Sequence, residues 1–160
     1  MTETRRSYRS TSPDSTGELA RRIGAGLTPG STLLLEGPVG AGKTHFARAL
    51  IQSLLLTPED VPSPTFTLVQ TYDGRDGEIW HADLYRLTSP DEVIELGLEE
   101  AFDTAICLVE WPDRLGPLAP PGALTLRFAA EGEAVRRIDA IGPAAWDRVL
   151  PKDCPGECDA

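Results

Sequence analysis

One eight-residue segment constrains this chain more than any other. Residues 37–44 read Gly-Pro-Val-Gly-Ala-Gly-Lys-Thr, which matches the phosphate-binding pattern G-x-x-x-x-G-K-[ST]. Glycines allow the backbone angles with which successive amides point at phosphate oxygens, and the helix that follows adds its positive N-terminal end. In this pattern the lysine reaches the β and γ phosphates and the threonine hydroxyl ligates Mg²⁺. We therefore predict a phosphate site formed by Gly37, Val39, Gly40, Ala41, Gly42, Lys43 and Thr44.

The segments on either side of this loop have the pattern of a strand followed by a helix. Thr32–Glu36 is a short apolar run typical of a buried parallel strand, and apolar residues recur at helical spacing from Phe46 to Leu56. Further patterning predicts helices that begin at Ser15, Ser89 and Pro143, and strands at 65–72, 78–85, 105–109, 124–128 and 134–141. We predict an α/β, three-layer P-loop NTPase-like fold, whose mixed sheet is flanked by helices, parallel near the loop and antiparallel toward one edge.

Length and composition fit one domain of an ordinary soluble protein. The chain has 160 residues, and we expect a domain over 12–150, a flexible N-terminal arm over 1–11 and a flexible C-terminal tail over 151–160. No apolar run is long enough to cross a membrane. The three cysteines form no framework, and Cys107 lies inside an apolar run, so we expect a reducing compartment and a cytoplasmic protein.

The formal net charge is −10. Since nucleic-acid affinity depends largely on lysine and arginine, the chain alone is a poor candidate for binding RNA or DNA non-specifically. The charge fits a protein that works through protein partners, and it equally fits plain solubility.

Two acidic residues are candidates for holding the metal of a phosphate site and for orienting a water molecule. Glu110 ends the apolar strand at 105–109, and Asp83 lies near the end of a strand in His81-Ala82-Asp83-Leu84-Tyr85-Arg86. The alternative is that Glu110 only caps a strand end and that Asp83 is solvated or paired with an arginine.

Three other features have both a functional and a structural interpretation. Ser63-Pro64-Thr65-Phe66 follows the loop's helix, where switch segments that sense a γ-phosphate are often placed, but it also fits a turn stiffened by proline. Trp111 could stack on a ligand or partner, or belong to the core. His45 fits a helix-surface residue better than a catalyst.

Taken together, these motifs resemble the bacterial TsaE (YjeE-type) family of P-loop ATPases. The matching segments, in order, are GPVGAGKT at 37–44, SPTFTLV at 63–69, HADLYRL at 81–87 and ICLVEWP at 106–112. The similarity runs from about Ser12 to Leu150. The loop alone is unspecific, whereas its combination with SPTF, HxDLYR and EWP is specific to this family.

The resemblance implies Mg²⁺-dependent ATP binding with ATPase activity that is weak alone and stimulated by partner subunits. It implies work with a TsaD-type threonylcarbamoyl-transferase subunit and its TsaB-type companion on adenosine 37 of tRNAs that read ANN codons. Carried over by position, residues 39–44 contact the phosphates of ATP or ADP, Thr44 and Glu110 hold Mg²⁺, and Asp83 is needed for hydrolysis. Thr65 then belongs to a switch-like segment, Trp111 lies beside the site, and Gly132 lies in a turn that approaches the nucleotide. The region around Ser12–Thr16 corresponds to a segment near the adenine.

Three other classes of protein are alternatives, and the sequence bears on each of them. A small GTPase usually reads guanine with an Asn-Lys-x-Asp motif, and this chain contains no asparagine. A small-molecule or nucleotide kinase often carries an arginine-bearing lid, and no arginine-rich lid segment is evident. A nucleotide-binding subunit that never turns over ATP stays open, because Asp83 and Glu110 serve binding and hydrolysis alike.

Overall fold

A computed structural model describes residues 3–38, 41–57, 61, 69–87, 89 and 91–152. These residues form a seven-stranded sheet with the order β1-β7-β6-β2-β5-β4-β3. The strands are β1 Glu3–Ser10, β2 Thr32–Glu36, β3 Val69–Gly74, β4 Gly77–Asp83, β5 Ile106–Glu110, β6 Leu124–Ala130 and β7 Arg136–Pro143. The four helices are α1 Pro13–Gly24, α2 Lys43–Leu54, α3 Asp91–Glu95 and α4 Leu98–Thr104, and short 3₁₀ helices span Pro112–Leu118 and Ala144–Arg148.

The sheet is mixed, as predicted, with its parallel part in the middle. β2 pairs in parallel with β5 and β6, and β4 pairs in parallel with β5. The antiparallel pairs lie at both edges, β3 with β4 on one side and β1, β7 and β6 on the other, where the sequence pattern had predicted one edge. β6 and β7 already form an antiparallel hairpin at the second edge, and the N-terminal segment extends that edge by one strand.

Two apolar clusters lie on opposite faces of the sheet and give the predicted three layers. One cluster packs α1 and α2 on alternate strand residues that include Leu33, Leu35 and Leu108. The other packs α3 and α4 on the intervening residues, among them Leu34 and Val109. Strands buried on both faces read as continuous apolar runs, which is why β2 and β5 were predictable.

The N-terminal segment is not the flexible arm expected for residues 1–11. Glu3–Ser10 pairs antiparallel with β7 along its whole length. Tyr8 is buried and its hydroxyl donates a hydrogen bond to the Pro151 carbonyl. Pattern analysis did not detect this strand, because its inward-facing positions include the half-buried Arg6 and only one large apolar side chain, Tyr8.

The first helix begins earlier than its predicted start at Ser15. Ser12 is the N-cap, and its hydroxyl accepts a hydrogen bond from the Ser15 amide at 3.1 Å. Pro13 occupies the first turn, where its missing N–H costs nothing. The Ser-Pro pair therefore sets the helix start, rather than the Ser15–Glu18 spacing.

The other helical predictions are correct in position and differ from the structure in extent. The helix predicted to begin at Ser89 is divided into α3 and α4 at Gly97, whose φ of 84° lies in the left-handed region. The closing helix predicted over 143–150 is a single 3₁₀ segment, Ala144–Arg148. In the described part of the chain, no helix combines the length and the apolar content that crossing a bilayer requires.

Candidate functional site

The glycine-rich loop lies between the end of β2 and the start of α2. Gly37 has a φ of 137°, and a Cβ added there would lie 2.5 Å from the Phe128 carbonyl oxygen in β6, so only glycine fits. Gly42 has a φ of 101° and is the N-cap of α2. Ala41 is buried between them, whereas Val39 and Gly40 lie outside the described residues.

Lys43 is the first residue of α2 and its side chain is buried. Its exposed fraction is 4%, and its ammonium nitrogen has no hydrogen-bond partner among the described residues. The ammonium instead lies 4.0 Å from the centre of the Trp111 ring, a cation–π contact. Burial lowers the pKa of Lys43, and the nearby charges of Glu110 and Asp83 oppose that shift. A buried ammonium without a hydrogen-bond acceptor is a strong candidate for binding an anion.

Glu110 brings together three of the elements that surround the loop. It ends β5 beside Leu35 of β2, and its carboxylate is buried. The Thr44 hydroxyl donates a hydrogen bond to Oε1 of Glu110 at 3.2 Å. Nε2 of His81 lies 2.8 Å from the other oxygen, Oε2. The strand-end carboxylate therefore contacts the hydroxyl that the loop pattern assigns to Mg²⁺.

Asp83 lies beside Glu110 at the ends of two parallel strands. The register of β4 on β5 pairs these residues. Oδ1 of Asp83 accepts a hydrogen bond from the Tyr85 amide at 3.1 Å. Burial raises the pKa of Asp83, the Tyr85 hydrogen bond lowers it, and the Glu110 charge adds to the rise. Among the described side chains no arginine forms an ion pair with Asp83, which removes one of the alternatives considered from sequence.

Trp111 lies beside this constellation in an uncommon backbone conformation. Its φ of 59° makes it the one non-glycine residue with positive φ in the described chain. Its ring packs on Tyr85, with centroids 4.9 Å apart, in addition to contacting Lys43. Trp111 is therefore half-buried: it packs against the second apolar cluster and also lies beside Lys43 at the candidate site.

A cavity of about 330 Å³ opens at the N-terminal ends of α1 and α2. It is lined by Pro13, Thr16, Gly42, His45, Glu133, Ala134 and Arg136. The turn that contains Gly132 borders it, and one Arg136 nitrogen donates to the carbonyls of Gly132, Glu133 and Val135. His45 is exposed, as expected for a helix-surface residue, and its Nε2 lies 2.9 Å from the Pro13 carbonyl oxygen, linking the two helix ends.

Sequence reasoning missed two residues of this region, His81 and Arg136. His81 could have been found, because side chains alternate along a strand and His81 therefore shares a face with Asp83. Arg136 carried no signal that separated it from an exposed arginine. Ser63–Phe66, including Thr65, lies outside the described residues, so its predicted switch role stays a prediction.

Known proteins are similar to this chain in sequence and in fold. A family model described as threonylcarbamoyl adenosine biosynthesis protein TsaE matches residues 10–138. The tRNA threonylcarbamoyladenosine biosynthesis protein TsaE of Rickettsia felis is 42% identical over 128 residues, which are 80% of this chain and 75% of the relative. The protein of the same name from Bacillus subtilis is 36% identical over 132 residues, 82% of each chain.

A solved structure is similar to this chain in fold. The crystal structure of Bacillus subtilis YdiB is similar with a TM-score of 0.73 at 28% identity, over 93% of this chain and 91% of that one. The family match covers most of the seven-stranded domain, including the loop, Asp83 and Glu110. The chain therefore belongs to the TsaE family of threonylcarbamoyl adenosine biosynthesis proteins.

Proposed function

We propose that this chain is a P-loop ATPase subunit that binds Mg-ATP at residues 37–44 and serves tRNA threonylcarbamoyladenosine biosynthesis. The observation that carries the proposal is the buried Lys43 ammonium, which has no hydrogen-bond acceptor among the described residues. A buried polar group without a partner is costly, and phosphate oxygens at the loop would supply the missing acceptors. Membership of the TsaE family supports the biosynthetic role.

The residues fit the magnesium ion as well as the phosphates. Mg²⁺ prefers oxygen ligands, keeps several waters and is usually held by one or two carboxylates together with substrate phosphates. Thr44 and Glu110 would provide protein oxygens, with Asp83 beside them. The described residues contain no group of three His, Cys, Asp or Glu side chains that could hold a metal alone, so this site depends on the nucleotide. When bound, Mg²⁺ would neutralise charge on the phosphates.

The loop, the cavity and Asp83 would each serve a different part of the reaction. The loop amides and Lys43 would bind the phosphates, and the cavity between α1 and α2 would receive the nucleoside. Asp83 would orient the attacking water. The family resemblance implies that hydrolysis by the isolated chain is slow.

The acidic charge supports the proposal that other subunits bind the tRNA. At a net charge of −10, the chain would leave most tRNA contacts to partners, in this proposal the TsaD-type transferase and its TsaB-type companion. ATP turnover would switch the complex while adenosine 37 of tRNAs reading ANN codons is modified in the cytoplasm.

The decisive experiment measures ATP hydrolysis and tRNA modification together, with and without the two partner subunits. We expect slow hydrolysis alone, faster hydrolysis with the partners, and modification that requires both this chain and ATP. Lys43→Ala should abolish the stimulated activities. Modification that proceeds without this chain, or faster turnover of GTP or of a small phosphate acceptor than of ATP, would contradict the proposal and favour the GTPase or kinase classes.

A further inference from the structure

A buried histidine, which the family-derived roles leave unassigned, contacts the metal-binding carboxylate. Nε2 of His81 lies 2.8 Å from Oε2 of Glu110, and the exposed fractions of the two side chains are 1% and 3%. The other oxygen of Glu110 accepts the Thr44 hydroxyl hydrogen bond at 3.2 Å. Each carboxylate oxygen therefore has its own partner, one from β4 and one from α2.

The chemistry of these groups fixes the direction of both hydrogen bonds when Glu110 is ionised. A carboxylate only accepts, so His81 donates from Nε2 and Thr44 donates from Oγ1. The Thr44 oxygen keeps its lone pairs for a metal ion. With a hydrogen bond at each oxygen, rotation of the carboxylate about its terminal bond would break two hydrogen bonds rather than one.

The other nitrogen of His81 shows that this arrangement has a cost. Nδ1 is buried and has no hydrogen-bond partner among the described residues. Burying a polar atom in this way is unfavourable, and a leucine at this core position would avoid the cost. The contact with Glu110 is what a leucine could not provide.

We propose that His81 is a positioning residue, which holds Glu110 with Oε1 turned to Thr44 and thereby sets the affinity of the nucleotide complex for Mg²⁺. The inference rests on the proposed nucleotide site. Removing an outer partner of a metal ligand typically lowers metal affinity about tenfold to a hundredfold. Binding of the phosphates themselves does not involve His81.

The test compares ADP affinity in MgCl₂ with ADP affinity in EDTA, by calorimetry, for the wild type and four variants. His81→Leu removes both ring nitrogens, and His81→Asn keeps a polar side chain that is too short to reach Glu110. His81→Gln places an amide N–H near the position of Nε2, and Glu110→Ala marks the complete loss of the carboxylate. Thermal melting of each variant shows that it is folded.

We expect the Mg²⁺-dependent gain in ADP affinity to fall about tenfold in His81→Leu and His81→Asn, and to be kept within about twofold in His81→Gln. Affinity in EDTA should be the same in all of these variants. If His81→Leu does not fold, the comparison of Asn with Gln decides, because both are polar and differ in reach.

The experiment distinguishes failure of the positioning role from failure of the proposed nucleotide site. Equal Mg²⁺-dependent gains in His81→Asn, His81→Gln and wild type would overturn the positioning role and leave the nucleotide site intact. Equal losses in MgCl₂ and in EDTA would assign His81 to folding alone and would also overturn it. A wild type that binds neither ADP nor ATP would overturn the proposed function and this inference with it.

Discussion

At the scale of single residues, the site is assembled by strand register. Glu110 and Asp83 are 27 positions apart in sequence, and the parallel pairing of β4 with β5 places them side by side. Lys43, Thr44, Asp83 and Glu110 could be named as candidates from the sequence because each belongs to a motif whose chemistry requires that residue type. The structure brings them together, and their roles stay predictions. His81 was not named as a candidate, although strand alternation places it on the same face as Asp83; its contact with the Glu110 carboxylate is seen in the structure.

Lys43→Ala should weaken ATP binding about tenfold to a hundredfold. Hydrogen bonds to charged groups contribute about 1.5–3 kcal/mol, and each 1.4 kcal/mol is a factor of ten in affinity. Calorimetry with ATP and MgCl₂ measures the effect. Lys152→Ala is the matched control, since Lys152 is the other lysine of the chain and is exposed near its C-terminal end. Equal affinity of Lys43→Ala and wild type would remove Lys43 from the site.

At the scale of elements, strands that are buried on both faces were predicted well, and a strand with alternating burial was missed. β2 and β5 are apolar runs buried on both faces, and their bounds were predicted within one residue. β1 was missed because its pairing partner lies more than 125 positions away and its own alternation is largely polar. The division between α3 and α4 was missed because a helix that continues through Gly97 has the same apolar spacing.

Gly97→Ala should lower the free energy of unfolding by about 1 kcal/mol. Gly97 has a φ of 84° at the N-cap of α4, and left-handed backbone costs other residues about 1–2 kcal/mol. Chemical denaturation measures the change. Gly122→Ala is the control, because a Cβ there meets no atom within 4 Å and its φ is not in the left-handed region. A neutral Gly97→Ala would show that the break between the two helices is not fixed by the glycine.

Cys107 should make the protein less stable in alkali. Burial raises the pKa of the Cys107 thiol from 9.0 to about 12. The stabilisation is therefore complete below pH 9 and is lost as the pH rises toward 12, because the unfolded chain releases the proton first, at up to about 1.4 kcal/mol per pH unit. Unfolding free energies at about pH 8 and pH 10 should differ by roughly 1 kcal/mol more in the wild type than in Cys107→Ala. Parallel pH dependence of the two proteins would contradict the burial argument.

At the scale of the whole molecule, the N-terminal strand and the residues after β7 close the fold together. The Tyr8 hydroxyl donates a hydrogen bond to the Pro151 carbonyl, and the Arg6 guanidinium donates one to the Asp147 carboxylate. The two ends of the described chain therefore meet beside β7. β1 leads at once into Ser12 and Pro13, and Pro13 lines the cavity beside the loop. The start of the chain therefore belongs to the domain and borders the candidate nucleoside site.

Tyr8→Ala should destabilise the protein by about 2–4 kcal/mol, the usual cost of truncating a large buried side chain. A flexible arm would show no such cost. Arg5→Ala is the control on the same strand, because its side chain is 70% exposed, and it should change stability by less than about 0.5 kcal/mol. Similar unfolding curves for both variants would show that β1 contributes little to the fold in solution.

The place of β1 in the sheet also bears on how the sheet could pair with another chain. β1 is an edge strand, so one side of its backbone carries N–H and C=O groups that no other strand of the described sheet takes up. Such an edge is a template for pairing with another chain, and closely spaced charges of one sign on it oppose that pairing. Arg5, Arg6 and Arg9 place three charged side chains within five residues, and each forms an ion pair with a carboxylate, of Glu3, Asp147 and Glu131 respectively. A second copy approaching edge to edge would bring these charged side chains opposite one another, so we expect the strand that completes the sheet also to oppose such pairing.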